Sequence, residues 1–128
     1  LIQSSIMKRL DFVSFAPMVN ISAFTGENIS ELLIKIKMIF NQFNKRAGTG
    51  ELNRVFRDVL RIHPPPVSST GRLRFFYITQ VSTAPPSFVI FTNNPDEVKQ
   101  SYRRFIANRL REKLDMGNIT IRLIFRKK

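Results

Sequence analysis

Three consecutive prolines, Pro64-Pro65-Pro66, constrain this 128-residue chain more than any other feature. Proline lacks the N–H that a helix interior or a central strand needs, and it drives the preceding residue out of the helical region. A helix arriving from upstream must therefore stop by His63, and the chain must start afresh beyond Pro66. Upstream, Leu52, Val55, Phe56, Val59 and Leu60 recur at i, i+3, i+4, i+7 and i+8. This predicts a helix over 51–61 with Thr49 as its N-cap and Arg54, Arg57 and Arg61 on its other side. Downstream, residues 72–82 and 87–92 are rich in aromatic and β-branched side chains and read as two strands, joined by a turn at Pro85-Pro86. Asn94-Pro95-Asp96-Glu97 has the form of a helix start: a cap, proline at the first helical position, an acid at the third. Val98, Tyr102, Phe105, Ile106, Leu110 and Leu114 would be that helix's apolar stripe, and Gly117 its end. Ile119, Ile121, Leu123 and Phe125 then alternate with Thr120, Arg122, Ile124 and Arg126, a last strand with one apolar face. The order α-β-β-α-β predicts an α+β domain over 45–128, a three-stranded sheet with helices on one face.

Residues 1–44 read differently. A short helical stretch near 6–10 precedes an apolar run at 16–21, which suits a buried strand. The loop Ser22-Ala23-Phe24-Thr25-Gly26 leads into a helix carrying Ile29, Leu32, Leu33, Ile36, Phe40 and Phe43 at 3.6-residue spacing. Asn28 with Glu31 reads as a capping box, and Ser30 is an alternative cap one turn on. Strand, tight loop and helix make the end of an α/β unit without its partner strands, and the opening Leu1 in place of Met suggests a severed piece. Its uncovered apolar surface predicts disorder, or packing against another copy. Residues 45–50 are basic and glycine-containing, a linker and a domain boundary.

Charge separates the same two parts. The chain carries 21 Lys and Arg against 9 Asp and Glu, net +12. Residues 45–128 hold 17 of the basic residues and 6 of the acidic ones, net +11, leaving +1 for residues 1–44. Such a basic module favours phosphate-bearing partners. The candidate contacts are Arg54, Arg57, Arg61, Arg104, Arg111, Arg122, Arg126, Lys127 and Lys128. A solvated charged face is the bland alternative for each. Phe75, Phe76 and Tyr77 in a row must alternate, so at least one faces away from the helices, as a platform for bases or a contact for another domain. Core packing is expected for Phe88, Phe91, Tyr102 and Phe105. At 43% hydrophobic residues with 12 Phe the chain can bury a core, so wholesale disorder is excluded. With no Cys there is no disulfide, thiolate metal site or Cys nucleophile, which agrees with a reducing compartment. No apolar run approaches the roughly 18–20 residues of a membrane span. His63 is the single histidine and has no nucleophile or orienting acid in its neighbourhood, and a helix dipole accounts for Asp96 and Glu97. No catalytic residue and no metal ligand set is expected.

Two resemblances add to this. A strand ending in Ser22-Ala23, followed by Thr25-Gly26 and a periodic helix, resembles the last guanine-recognition motif of small GTP-binding domains. Neither a G-x-x-x-x-G-K-[ST] phosphate loop nor an Asn-Lys-x-Asp motif accompanies it, so these residues alone are expected neither to bind nor to hydrolyse GTP. From Phe15-Ala16-Pro17 onward the match continues through Thr49-Gly50-Glu51-Leu52-Asn53-Arg54, His63-Pro64-Pro65-Pro66, Tyr77-Ile78-Thr79-Gln80-Val81 and Pro85-Pro86-Ser87-Phe88-Val89-Ile90-Phe91. It goes on through Asn93-Asn94-Pro95, Ser101-Tyr102-Arg103-Arg104-Phe105, Leu110-Arg111-Glu112 and Ile119-Thr120-Ile121-Arg122. In this order the segments resemble the C-terminal region of the Der (EngA) family, bacterial GTPases with two tandem GTP-binding domains that act in large ribosomal subunit assembly.

The resemblance implies that residues 1–44 are the C-terminal remnant of the second GTP-binding domain, the terminal strand and helix of a P-loop α/β fold. It implies that residues 45–128 are a KH-like domain. The parent protein would use GTP and Mg²⁺ in the cytoplasm, with ribosomal RNA or the large-subunit precursor and its own upstream GTP-binding domains as partners. DNA is not expected as a partner. Two departures stand out: the Gly-x-x-Gly loop with which KH domains clamp RNA is absent, Gly48-x-Gly50 preceding the first helix and Gly71 standing alone, and Ala47-Gly48 replaces bulkier residues before Thr49, which predicts a looser linker. Two roles stay open for the basic module: binding ribosomal RNA through backbone charge, or docking on the GTP-binding domains and sensing their nucleotide state.

Overall fold

The proline run does end a helix. The computed structural model describes residues 2–68 and 71–128, and in it Thr49–Ile62 (α3) stops at His63, whose backbone is extended. Helix α3 is preceded by α1 (Ile2–Arg9) and α2 (Ile29–Phe43). Beyond the prolines lie a small antiparallel pair, β1 (Val67–Ser68) with β2 (Gly71–Arg72), then β3 (Phe75–Ser82) and β4 (Ser87–Thr92). Helix α4 (Gln100–Lys113) and β5 (Arg122–Lys127) complete the order. The main sheet runs β3-β4-β5: β4 is central, antiparallel to β3 and parallel to β5, as a crossover through α4 requires. The α+β class and the α-β-β-α-β order are as the sequence predicts.

The core lies between this sheet and α3 with α4. Leu52, Phe56 and Val59 of α3 meet Ile78 of β3, Phe88 and Ile90 of β4, and Ile106 and Leu110 of α4. Leu123 and Phe125 of β5 pack against the same cluster, while Arg122, Ile124 and Arg126 are exposed, the alternation expected of a half-covered strand. Phe75 turns into the core, its ring edge-on to Phe56 at 6.1 Å.

Several local expectations give way to contacts from afar. The strand expected over 72–82 breaks at Leu73-Arg74, where Asn93 and Thr92 take over the backbone: Arg74 N–H donates to Asn93 Oδ1 at 2.8 Å and Thr92 Oγ1 donates to Arg74 O at 2.6 Å. Gly48, not Thr49, holds the N-cap position of α3, and no side chain closes its first turn. Pro95–Glu97 forms only a 3₁₀ turn, uncapped by the Asn94 side chain, and the chain straightens at the buried Val98 before α4 begins at Gln100. Arg103 holds that turn, donating through Nε to Val98 O and through Nη2 to Pro95 O, both at 3.0 Å. Asp115 at φ 55°, not Gly117, takes the left-handed position after α4, and this tucks Met116 into the core.

Residues 16–21 form no strand; a strand needs a neighbour for its backbone groups, and among the described residues none is beside it. Asn28 sits at φ 61° and makes no side-chain cap; its amide donates to Asn20 O at 2.8 Å instead. The C-terminal end of α2 is built into the same core, with Ile39 and Phe43 packed on it. Gln42, 8% exposed, accepts from Asn118 N–H at 2.9 Å and donates to Asn118 Oδ1 at 3.2 Å. The linker is tied as well. Gln80 Oε1 accepts from Ala47 N–H at 2.7 Å, Gln80 Nε2 donates to Lys45 O at 2.8 Å, and Lys45 Nζ reaches Leu114 O at 2.8 Å.

Candidate nucleic-acid interface

Arginine is the residue type in question, and the fold divides its copies by what each guanidinium meets. Arg54, Arg57 and Arg61 line the solvent side of α3, opposite the buried Leu52, Val55, Phe56 and Val59. Arg61 shares charge with Asp58 at 3.6 Å; exposed, that pair is worth little. Arg104 is exposed on α4. Arg111 is drawn inward: Nη2 donates to Gly117 O at 2.9 Å, Nη1 to Asn108 Oδ1 at 3.1 Å, and its guanidinium lies 4.4 Å from the centre of the Phe15 ring. Burial lowers its pKa, opposed by Glu112 beside it, and its buried Nε has no hydrogen-bond partner among the described residues. Arg111 therefore pins the N-terminal segment to α4, and so differs from the other candidates.

The remaining candidates lie on or beyond β5. Arg122, Arg126, Lys127 and Lys128 are all exposed, and Lys128 Nζ stands 5.2 Å from the ring centre of Phe76 and 5.6 Å from that of Tyr77. Tyr77 stacks on Phe91 with centroids 4.6 Å apart and planes at 26°. Phe91 therefore belongs to the side of the sheet away from the helices, not to the core where sequence reasoning puts it. The alternation with the buried Phe88 and Ile90 is the signal that would have placed it. Of the three aromatics in a row, Phe75 goes inward and Phe76 and Tyr77 are exposed, an arrangement permitted by a break in the β3–β4 register between Phe75 and Tyr77. Sequence reasoning also passed over Arg72 and Arg74. With Leu60, Phe75 and Phe76 they line an open cleft of about 890 Å³ at this end of the sheet.

A family model described as the KH-domain-like of EngA bacterial GTPase enzymes, C-terminal, matches residues 46–126. The chain belongs to this family. It is similar to the GTPase Der of Syntrophobacter fumaroxidans, 42% identical over 119 residues that cover 92% of this chain and 27% of that protein. It is 39% identical over 121 residues to the GTPase Der of Geobacter metallireducens, covering 94% of this chain and 28% of that protein. With the GTPase Der of a Sulfurihydrogenibium species it shares 40% over 127 residues, 99% of this chain and 28% of the relative. The chain thus spans little more than a quarter of the length of these curated relatives.

In this KH-like member the segment before the matched region carries the Ser22-Ala23 loop. Ser22 Oγ accepts the Thr25 N–H at 3.2 Å and Gly26 N–H donates to Ser22 O at 2.8 Å, so the hydroxyl braces the turn; Ala23 beside it is exposed. Among the described residues no three His, Asp or Glu gather into a group able to hold a metal ion. No described helix is long and apolar enough to cross a membrane.

Proposed function

We propose that these 128 residues are the RNA-binding C-terminal part of a cytoplasmic GTPase of ribosome assembly, and that they grip ribosomal RNA of the large-subunit precursor through backbone charge. GTP and Mg²⁺ belong, in this reading, to GTP-binding domains elsewhere in the protein; DNA is not a partner. The distribution of charge carries the proposal. Residues 59–95 and 116–128, which include all three strands of the sheet, contain no Asp or Glu, while Arg54, Arg57, Arg61, Arg104, Arg122 and Arg126 are exposed around it. A polyanion can approach the sheet without meeting a carboxylate carried by its strands, whereas on α3 Asp58 already shares the charge of Arg61. The ribosomal context is what the resemblance to the Der (EngA) family implies.

Fluorescence anisotropy with a large-subunit RNA fragment tests it. Affinity should fall linearly in log–log form with salt, with a slope of about −3 to −5 for four to six phosphates neutralised. Arg54→Glu with Arg57→Glu should weaken binding at least about tenfold and flatten the slope. A flat salt dependence in the wild type rules the proposal out.

A second reading has its own observation. Leu33, Ile34, Ile36 and Phe40 on α2, and Ile21 and Phe24 before it, are exposed apolar residues on one short stretch of chain. They suit burial against the GTP-binding domains, which would make the module a docking and nucleotide-sensing unit. Adding the purified upstream domains should then give a complex whose affinity changes between GTP and GDP; no association with either nucleotide counts against it.

A further inference from the structure

The face of the sheet turned away from the helices combines features that neither charge nor core packing requires. A half-covered sheet normally turns polar side chains to water. Here its exposed face carries Tyr77, Val81 and Ile124, with Phe91 half-buried beside Tyr77 and the small polar Thr79 among them. Phe76 and Tyr77, 44% and 40% exposed, lie side by side at the break in register. Tyr77 stacks on Phe91, and the Lys128 ammonium lies near the rings of both Phe76 and Tyr77.

We propose that this face is a stacking platform for single-stranded RNA, with bases lying on Phe76 and Tyr77 and phosphates following Arg126, Arg122 and Lys128. The proposal rests on the RNA-binding reading above and adds to it the strandedness of the RNA and the surface that meets the bases. Alternate residues of a strand lie about 6.6–6.8 Å apart on one face, so Arg122, Ile124 and Arg126 form an evenly spaced row beside the aromatic column. In the register, Arg126 stands next to Phe91, which stands next to Tyr77. A cation row thus runs along one margin and rings line the other, the layout a single strand needs when its backbone is held and its bases are splayed. Lys128 already makes the cation–ring contact that a phosphate bound beside a stacked base would share. The cleft lined by Arg72 and Arg74 opens at Phe76, so the basic path continues past the end of the aromatic row. A duplex cannot use this surface, because its bases are stacked on each other and offer no open ring face. A protein partner fits it less well, since the apolar residues are ringed by cations with no carboxylate among the strands. The absent Gly-x-x-Gly loop leaves base contacts to be made somewhere other than the clamp of ordinary KH domains.

The test measures the 128-residue chain against labelled oligouridine and oligoadenosine eight-mers and against a blunt RNA duplex of equal charge, by anisotropy at fixed salt. Phe76→Ala with Tyr77→Ala should weaken single-strand binding about tenfold or more while leaving the duplex unchanged, and Tyr77→Phe should bind as the wild type does. Phe76→Ala alone removes a ring that is 44% exposed and should give a smaller loss in the same direction, which guards against misfolding of the double variant. Equal weakening of both RNAs, or no change, would overturn the platform while leaving charge-based RNA binding intact. Wild-type binding to neither RNA at low salt would remove both. Ring-proton NMR shifts at Phe76 and Tyr77 on adding the upstream GTP-binding domains, with none on adding oligouridine, would make the face a protein-docking site and overturn the proposal.

Discussion

Tyr102 is 5% exposed, and its hydroxyl donates to the carbonyl of His63 at 2.7 Å, bridging α4 to the end of α3. The imidazole of His63 leans on Tyr102 and Phe105, with centroids 5.8 and 5.2 Å away. The single histidine is thus part of how the proline break is anchored. Burial pushes the Tyr102 phenol up to about 12 from an ordinary 10, because the phenolate would lose its water. A raised folded value means that this group's contribution to stability is whole below pH 10 and is lost as pH rises through 12. Urea unfolding across that window should show stability falling less in Tyr102→Phe than in the wild type, after a cost of about 1 kcal/mol at neutral pH for the missing hydrogen bond. Identical pH slopes in the two proteins would refute the assignment. Helical spacing alone placed Tyr102 in the core. Its acceptor, 39 residues away, had no trace in the local pattern.

At the scale of elements, the helices and strands after residue 44 followed periodicity and their ends did not. Thr49, Asn28 and Asn94 all have cap chemistry, and none closes its helix with a side chain. The amides that matter join elements instead. Asn53 on α3 receives the Ile78 N–H at 3.0 Å and donates to Ile78 O at 3.0 Å, filling both backbone positions of that residue on the edge strand β3. An unpaired strand edge invites further pairing, and a buried peptide group without a partner costs about 1–3 kcal/mol. Asn53→Ala should therefore lower unfolding free energy by about 2–4 kcal/mol in urea titration, more than an exposed helix position allows. A loss under about 0.5 kcal/mol would mean water replaces the amide. Gln80 does the same for residues 45–47. An Asn on a helix reads as an ordinary polar residue until the strand beside it is known.

For the whole molecule, the division at residue 44 is sharp in charge and blurred in contact. Gln42 and Asn118 exchange two hydrogen bonds, Asn118 Nδ2 donates to Phe15 O at 3.0 Å, and Arg111 covers the Phe15 ring. Residues expected to be a stranded remnant are keyed to the KH-like domain at these points, while Leu33, Ile34, Ile36 and Phe40 remain exposed. If Gln42 is the key, Gln42→Ala should speed amide exchange in α2 by about tenfold or more and leave α3 and α4 unchanged. That factor corresponds to about 1.4 kcal/mol, the sum of two modest hydrogen bonds. Unchanged protection in α2 would show that Ile39 and Phe43 hold it by themselves.

The sequence by itself determined the α-β-β-α-β order of residues 45–128, the apolar faces of α3, α4 and β5, the α+β class, and the placement of nearly all the excess charge after residue 44. These are local or additive properties, readable from periodicity, proline and a count of charges. Only the tertiary structure decided which arginines stay in solvent and which, like Arg103 and Arg111, are consumed by carbonyls and rings. It also decided that Phe91 joins Tyr77 on the outer face, and that the break in register lets Phe76 and Tyr77 both remain exposed. Such outcomes depend on partners tens of residues away, 76 in the case of Gln42 and Asn118. A side chain's type restricts which partners it can take, but chain topology alone brings one of them within reach.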